Sequence, residues 1–227
     1  MRAIRATAYN YFRLRILNFE SAEAQRSELQ SKITKIQTRP LSRRRLEITM
    51  YDHLRIILYP DPRLKKLSSP VETFDDALQQ LANRMLVLMR EARGVGLAAP
   101  QVGKNIRLFV MNATGKPDDD HIYVNPVLSE AAGDEEAEEG CLSLPGVNLQ
   151  VLRSQTMRLQ GQDITGKPVD EVGDSYVARI WQHETDHLNG VLLLDRMGPV
   201  AKMTHRKVIR EMEMAWAGTQ GGSKKRL

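Results

Sequence analysis

The chain has 227 residues, 41% of them apolar and 27% charged, with a net charge of +5 and one cysteine. That length suits a single domain of ordinary size and is too short for two full ones. One cysteine excludes an intramolecular disulfide framework, and the absence of an 18-residue apolar run leaves no transmembrane helix to expect. The positive charge is unevenly placed. Residues 1–50 hold eleven Lys or Arg against four acids, a net +7, and the remainder carries −2. A slightly acidic body gives no support to a broad phosphate-binding surface, so no specific nucleic-acid partner is expected.

Residues 1–49 form a basic N-terminal extension with no glycine and one proline. Arg13 and Arg15 break its best apolar stretch, which excludes a secretory signal. Three readings stay open: a transit peptide, a disordered basic arm, or a start codon assigned too early. We favour a mistaken start or a dispensable extension. The domain is expected over residues 50–220, followed by a flexible tail at 221–227.

From Leu54 the texture becomes globular. Ile56 to Tyr59 ends at the turn signal Pro60-Asp61-Pro62. Thr73 and Asp76 suggest a capping-box-like helix start. Leu78, Leu81, Met85, Leu88, Met89 and Ala92 recur at helical spacing, with Gly94 as the stop. Ile106 to Met111 reads as a buried strand, and Lys116 to His121 as a polar turn. Glu130 to Gly140 is acidic and reads as a solvated loop. Val147 to Arg153 and Thr156 to Gln162 read as two strands, and Asp163 to Lys167 as a hairpin turn with Gly166 at the positive backbone angle. Asp174 or Ser175 caps a helix to about Leu188, with Gly190 beyond. Pro199 opens a last helix toward Trp216.

The strongest chemical signal is His183-Glu184-Thr185-Asp186-His187 inside the predicted helix. Residues four apart share one helix face, so two imidazoles can hold one metal ion while Glu184 reaches water as a general base. A solvated histidine-rich face is the bland alternative, but the chain has only five histidines. A catalytic site of this type needs a third protein ligand and an open position. Asp195, His205, Glu211 and Glu213 lie downstream without a matching pattern. Upstream, Glu139-Gly-Cys141-Leu-Ser-Leu-Pro-Gly146 offers a thiolate, an excellent ligand for a borderline metal. Alone, Cys141 would read as a small buried hydrophobe; beside the helix motif, the ligand reading wins. Gly94-Val-Gly-Leu-Ala-Ala-Pro-Gln101-Val-Gly103 lacks the spacing of a phosphate loop. It reads alone as a tight packed turn that lets a ligand approach the backbone, with Gln101 as an amide donor.

Taken together, GVGLAAPQVG, EGCLSLPG and QHETDHLNG, in that order, resemble the three signature motifs of the peptide deformylases, bacterial type. The resemblance runs from about Leu54 through the C-terminal helix and does not cover residues 1–49. It implies an α+β fold: a central metal-binding helix wrapped by antiparallel β-strands, with a C-terminal helix. It implies a hydrolase of protein biosynthesis that removes the formyl group from N-formylmethionine of new polypeptides and releases formate. By similarity, Cys141, His183 and His187 are the metal ligands and Glu184 is the general base that becomes the acid. Gln101 and the N–H of Leu142 form the oxyanion hole. The implied metal is Fe²⁺, one per chain, replaceable by Zn²⁺, Ni²⁺ or Co²⁺. Val95 and Gly96, with Gly140 opposite, are candidates to hold the peptide as an added strand. Ile180 is a candidate wall for the methionine side chain, with a plain core role the competing reading. The expected partners are formylated nascent peptides and, transiently, the ribosome, with no membrane. The expected location is a bacterial cytoplasm, or an organelle if residues 1–49 are a transit peptide. The rivals are an HExxH metallopeptidase, which the upstream cysteine and Gln101 argue against, and an inactive deformylase-like protein docked on ribosomal RNA.

Overall fold

A computed structural model describes residues 50–223. The expectations for residues 1–49, and for 224–227 of the tail, lie outside them. Five strands follow each other in one antiparallel sheet, in the order β1 to β5: β1 Gly96–Ala98, β2 Leu108–Met111, β3 His121–Gly140, β4 Asn148–Gln162 and β5 Pro168–Asp174. Among the described residues, three α-helices accompany them: α1 Asp76–Glu91, α2 Ser175–Leu188 and α3 Pro199–Ser223. Among the described residues, no helix is long and apolar enough to cross a membrane.

α1 forms because its apolar residues recur at three and four, and its buried stripe runs from Leu78 to Met89. Its cap differs from the expected one. Asp75 accepts the Leu78 N–H at 2.9 Å, which satisfies an orphan donor of the first turn. Its end also differs. Arg93, not Gly94, takes the left-handed position, with φ 57°, and the Gly94 N–H bonds back to Met89 O at 2.8 Å. α1 covers β1 and β2, building one core with Leu97, Leu108 and Val110.

β3 is the main correction. The acidic stretch expected as a loop is strand: residues 132–140 pair in register with β4, from Ala132↔Thr156 to Gly140↔Asn148. Polar residues can line a strand when one face is solvated and the other meets buried partners. Glu136 and Glu138 point outward, whereas Glu139 is buried. Two register shifts, between Val124 and Val127 and between Ser129 and Ala132, bend this long strand, as bulges do. β4 is likewise one strand rather than two. Leu149, Val151, Arg153, Met157 and Leu159 are buried along it. The hairpin at Asp163–Lys167 forms as expected, with Gly166 at φ 86°.

α2 lies against β4 and β1. Trp181, Ile180 and Ala178 pack with Phe109, Tyr123 and Leu159 in a second core. α3 lays Ala201, Val208, Ile209 and Met212 over a third, built on Cys141, Leu144, Val147 and Leu149. It continues to Ser223, so Gly221 and Gly222 are helical rather than tail.

Candidate metal centre and active site

Two elements meet at the site. α2 sets His183 and His187 one turn apart, their ring centroids separated by 5.2 Å. The turn that leaves β3 sets Cys141 against them, with Sγ 3.2 Å from His187 Nε2. One donor atom from each of the three residues lies within 4.8 Å of the others. A thiolate and two imidazoles around one point match a three-ligand catalytic metal site with an open fourth position. Glu184 Oε2 adjoins them, buried and without a hydrogen bond among the described residues. Leaving such an atom unpaired costs about 1–3 kcal/mol. A carboxylate oxygen open beside three donors therefore fits a site built to receive a cation and a reacting group. The downstream candidates do not join: Asp195 is held by Lys65 at 2.7 Å and Glu213 by the Tyr59 hydroxyl at 2.8 Å. His205 and Glu211 lie at the surface of α3.

Behind the donors lies a layer of charge. Glu139 Oε2 sits 3.0 Å from His183 Nδ1, which fixes that ring and leaves Nε2 for the cluster. The same carboxylate accepts two bonds from Arg153, both at 2.9 Å, and one from Arg179 at 2.8 Å. Arg153 also reaches Asp186 at 2.6 Å, and Asp186 accepts two bonds from Arg196 at 2.6 Å. Asp186 immediately precedes His187, so the second histidine is braced through the helix backbone.

The electrostatics follow from these neighbours. Burial disfavours the ionised form of the Cys141 thiol, but His187 and His183 outweigh it and bring the thiol down to about 5. The sulfur is thus a thiolate at neutral pH, the form that binds metal. Burial is also the largest influence on Glu139, yet the bonds from Arg153 and His183 hold it well below the usual carboxylate range. Glu184 goes the other way. Burial pushes it up to about 7, against the pull of His183 and His187, where a carboxyl can both take and give a proton near neutrality.

A cleft of about 340 Å³ opens onto this group. Val95 and Gly96 line one side and Gly140 and Leu142 the other, with Gln101, Ile180, His183 and Glu184 also in its wall. Among the described strands β1 is at an edge of the sheet, and its outer backbone at Gly96 can pair with an extended chain. Gly96 is required by space: a Cβ there would lie 2.3 Å from Glu184 Oε1. Ile180 is buried in the core and also lines the cleft. Gln101 is 2% exposed. Its Oε1 accepts the Ala98 N–H at 2.8 Å, which turns Nε2 toward Ser143 Oγ at 3.2 Å and Cys141 Sγ at 3.6 Å. The Leu142 N–H makes no hydrogen bond among the described residues.

Nine of the ten expected site residues thus line one cleft, and the tenth, His187, sits against Cys141. Sequence reasoning missed the bracing residues Glu139, Arg153, Arg179 and Asp186. Glu139 stood in a quoted motif two places before the cysteine, and Asp186 inside the helix motif. Nothing local singled out Arg153 or Arg179. Arg93 and Tyr176, at the cleft wall, were also missed.

A family model described as "Polypeptide deformylase" matches residues 53–203. A peptide deformylase of Rhodopirellula baltica is 42% identical over 170 residues, covering 74% of this chain and 85% of its own length. Among solved structures, the peptide deformylase of Plasmodium falciparum matches with a TM-score of 0.70 at 36% identity, over 73% of this chain and 98% of its own. Arabidopsis thaliana peptide deformylase 1B, solved with an inhibitor, matches with a TM-score of 0.71 at 36% identity, over 74% and 94%.

Proposed function

The chain belongs to the polypeptide deformylase family, and from that premise we propose how its residues divide the work. It is a metal-dependent hydrolase that removes the formyl group from N-formylated nascent polypeptides. We infer that Cys141, His183 and His187 hold the ion. The reading rests above all on one observation, the three donor atoms within 4.8 Å of one another beside an unpaired Glu184 oxygen. When bound, the ion supplies Lewis-acid polarisation and acidifies water at its open position. We propose Fe²⁺ as that ion, with Zn²⁺, Ni²⁺ or Co²⁺ able to replace it, since a thiolate with two imidazoles suits any of these borderline metals.

Glu184 takes the proton of the attacking water at its carboxylate and returns it to the amine that leaves. Its value of about 7 suits both halves of that shuttle. Gln101 Nε2 and the Leu142 N–H receive the negative charge that grows on the formyl oxygen. One such donor is worth about 3–4 kcal/mol in comparable sites. The peptide lies against the β1 edge between Val95–Gly96 and Gly140, with the methionine side chain against Ile180. The small formyl group allows a cleft tight enough to refuse internal peptide bonds.

The test is formate release from formyl-Met-Ala, with metal content measured on the same sample purified without oxygen. Glu184→Ala should retain the ion and lose about 10²–10⁴-fold in turnover. Near-normal turnover would remove Glu184 from the proton transfer. Iron and not zinc should predominate in that preparation; the reverse would overturn the iron assignment. We also propose transient ribosome association and a bacterial cytoplasmic location, an organelle being the alternative if residues 1–49 act as a transit peptide. Salt-sensitive co-sedimentation with ribosomes checks the first, and the N-terminal sequence of the native protein the second.

A further inference from the structure

We propose that Ser143 is a positioning residue that aims the Gln101 amide at the developing oxyanion; this rests on the reading that Gln101 stabilises that charge. The argument begins with the backbone. One extended segment pins both residues: the Ile57 N–H donates to Gln101 O at 2.8 Å, and the Tyr59 N–H donates to Ser143 O at 3.0 Å. Alternate residues of a single strand-like stretch therefore set the spacing between Gln101 and Ser143. Both side chains are then buried, Ser143 completely.

The Gln101 carboxamide has no freedom to turn over. Its oxygen is occupied by the Ala98 N–H at 2.8 Å, so the nitrogen must face the other way. That nitrogen carries two hydrogens. Ser143 Oγ, at 3.2 Å, engages one of them. The other points to the metal-ligand group, where it donates to Cys141 Sγ over a long 3.6 Å. A hydroxyl accepting the first hydrogen thus fixes the plane in which the second is presented. An oxyanion-hole donor is effective only when it is oriented before the charge appears, and a displacement of about 1 Å can cost 10²-fold. Without Ser143, the amide nitrogen keeps only its long bond to the Cys141 sulfur, the weaker of its two contacts, and the amide can swing about the anchor at its oxygen. Ser143 sits two residues beyond Cys141 and one beyond Leu142, so a single turn carries a metal ligand, one oxyanion donor and the brace of the other.

A buried serine could instead serve stability alone, and kinetics separate the two roles. Metal-loaded wild type, Ser143→Ala, Ser143→Thr, Gln101→Ala and the double variant Ser143→Ala/Gln101→Ala are compared on formyl-Met-Ala, with metal content and melting temperature recorded for each. Ser143→Ala should lower kcat about tenfold, with KM within about twofold and metal content unchanged. Ser143→Thr, which keeps the hydroxyl, should recover most of the loss. In the Gln101→Ala background, Ser143→Ala should cost less than about twofold, because its effect passes through the missing amide. Equal losses in both backgrounds would overturn the proposal, as would an unchanged kcat for Ser143→Ala alone when Gln101→Ala is impaired. An unimpaired Gln101→Ala would instead bring down the oxyanion reading itself, and Ser143's role with it. Loss of stability in Ser143→Ala does not blur the cycle, since the two backgrounds carry the same loss.

Discussion

The two sides of α2 follow opposite rules. Toward the cleft, Glu184 Oε2 is buried with no hydrogen-bond partner among the described residues. Toward β3 and β4, the Glu139 carboxylate takes four contacts within 3.0 Å, from Arg153, Arg179 and His183, and Asp186 takes three from Arg153 and Arg196. The unpaired side holds the groups that must meet a cation, a water and a formyl group. The paired side keeps them where they are. An unpaired carboxylate oxygen marks the reacting face of this helix, and the saturated carboxylates of Glu139 and Asp186 mark its support.

Changes on the cleft side should therefore abolish chemistry and spare the fold. The largest effect is expected of Cys141→Ser, which exchanges a soft thiolate for a poor hydroxyl ligand. Metal content and formate release should fall together, beyond the 10²–10⁴-fold expected of Glu184→Ala with its ion retained. Unchanged metal and activity would remove Cys141 from the ligand set and erase the distinction between the two sides.

Changes on the paired side should act first on stability, and on chemistry only through the placement of the histidines. Arg153→Ala leaves Glu139 buried with less compensation, and breaking such a pair costs about 3–5 kcal/mol. Chemical denaturation should report that loss, with a melting temperature lowered by roughly 10 °C. The pH dependence should change too. Glu139 is held below its unfolded value by Arg153 and His183 against the opposing effect of burial. Its stabilisation is present above about pH 4 and is lost as pH falls through the lower folded value. Removing Arg153 should shrink that acid-side loss. A variant with wild-type stability at pH 7 and an unaltered acid limb would show that the charged layer is ornamental. Arg196 tests the outer end of the same network. Its side chain is 35% exposed and Asp186 keeps Arg153, so Arg196→Ala should cost under about 1 kcal/mol, with turnover intact. A loss as large as that of Arg153→Ala would mean that exposure does not grade this network.

The cleft side was readable in advance because its chemistry is tied to local spacing. Two histidines four apart on a helix, a glutamate between them, a lone cysteine between glycines and a glutamine after a glycine-rich stretch each carry meaning within ten residues. The supporting side joins β3, β4 and α2 across 47 residues, from Glu139 to Asp186, and its members look ordinary in sequence. Glu139 belongs to a run of acids whose other members are mostly solvated, and burial alone distinguishes it. The same run hid a strand, because the inward residues Glu135, Ala137 and Glu139 are not an apolar alternation. β4 looked like two strands because the polar pair Ser154-Gln155 interrupts its apolar pattern. The end of α1 was read at Gly94 since glycine favours the left-handed position, but Arg93 occupies it at φ 57°. A non-glycine residue there reflects tertiary placement at the cleft wall rather than local preference.

The smallest expected effect belongs to residues 1–49. Both sides of α2, the three donors and every strand and helix described lie between Met50 and Ser223, and the family match begins at residue 53. The +7 charge of the first fifty residues has no counterpart in the −2 of the remainder, and the segment lacks glycine turns and a sustained apolar face with which to enter a core. A chain beginning at Met50 should therefore melt at nearly the same temperature, carry the same metal and release formate from formyl-Met-Ala at nearly the same rate. Comparison of full-length and shortened proteins by calorimetry, metal analysis and steady-state kinetics checks all three. Ribosome binding lost on shortening, with short-peptide turnover unchanged, would assign the segment a docking role through its charge. A shortened chain that unfolds, or that loses turnover with its metal in place, would show that the support of α2 extends beyond the charged layer of β3 and β4.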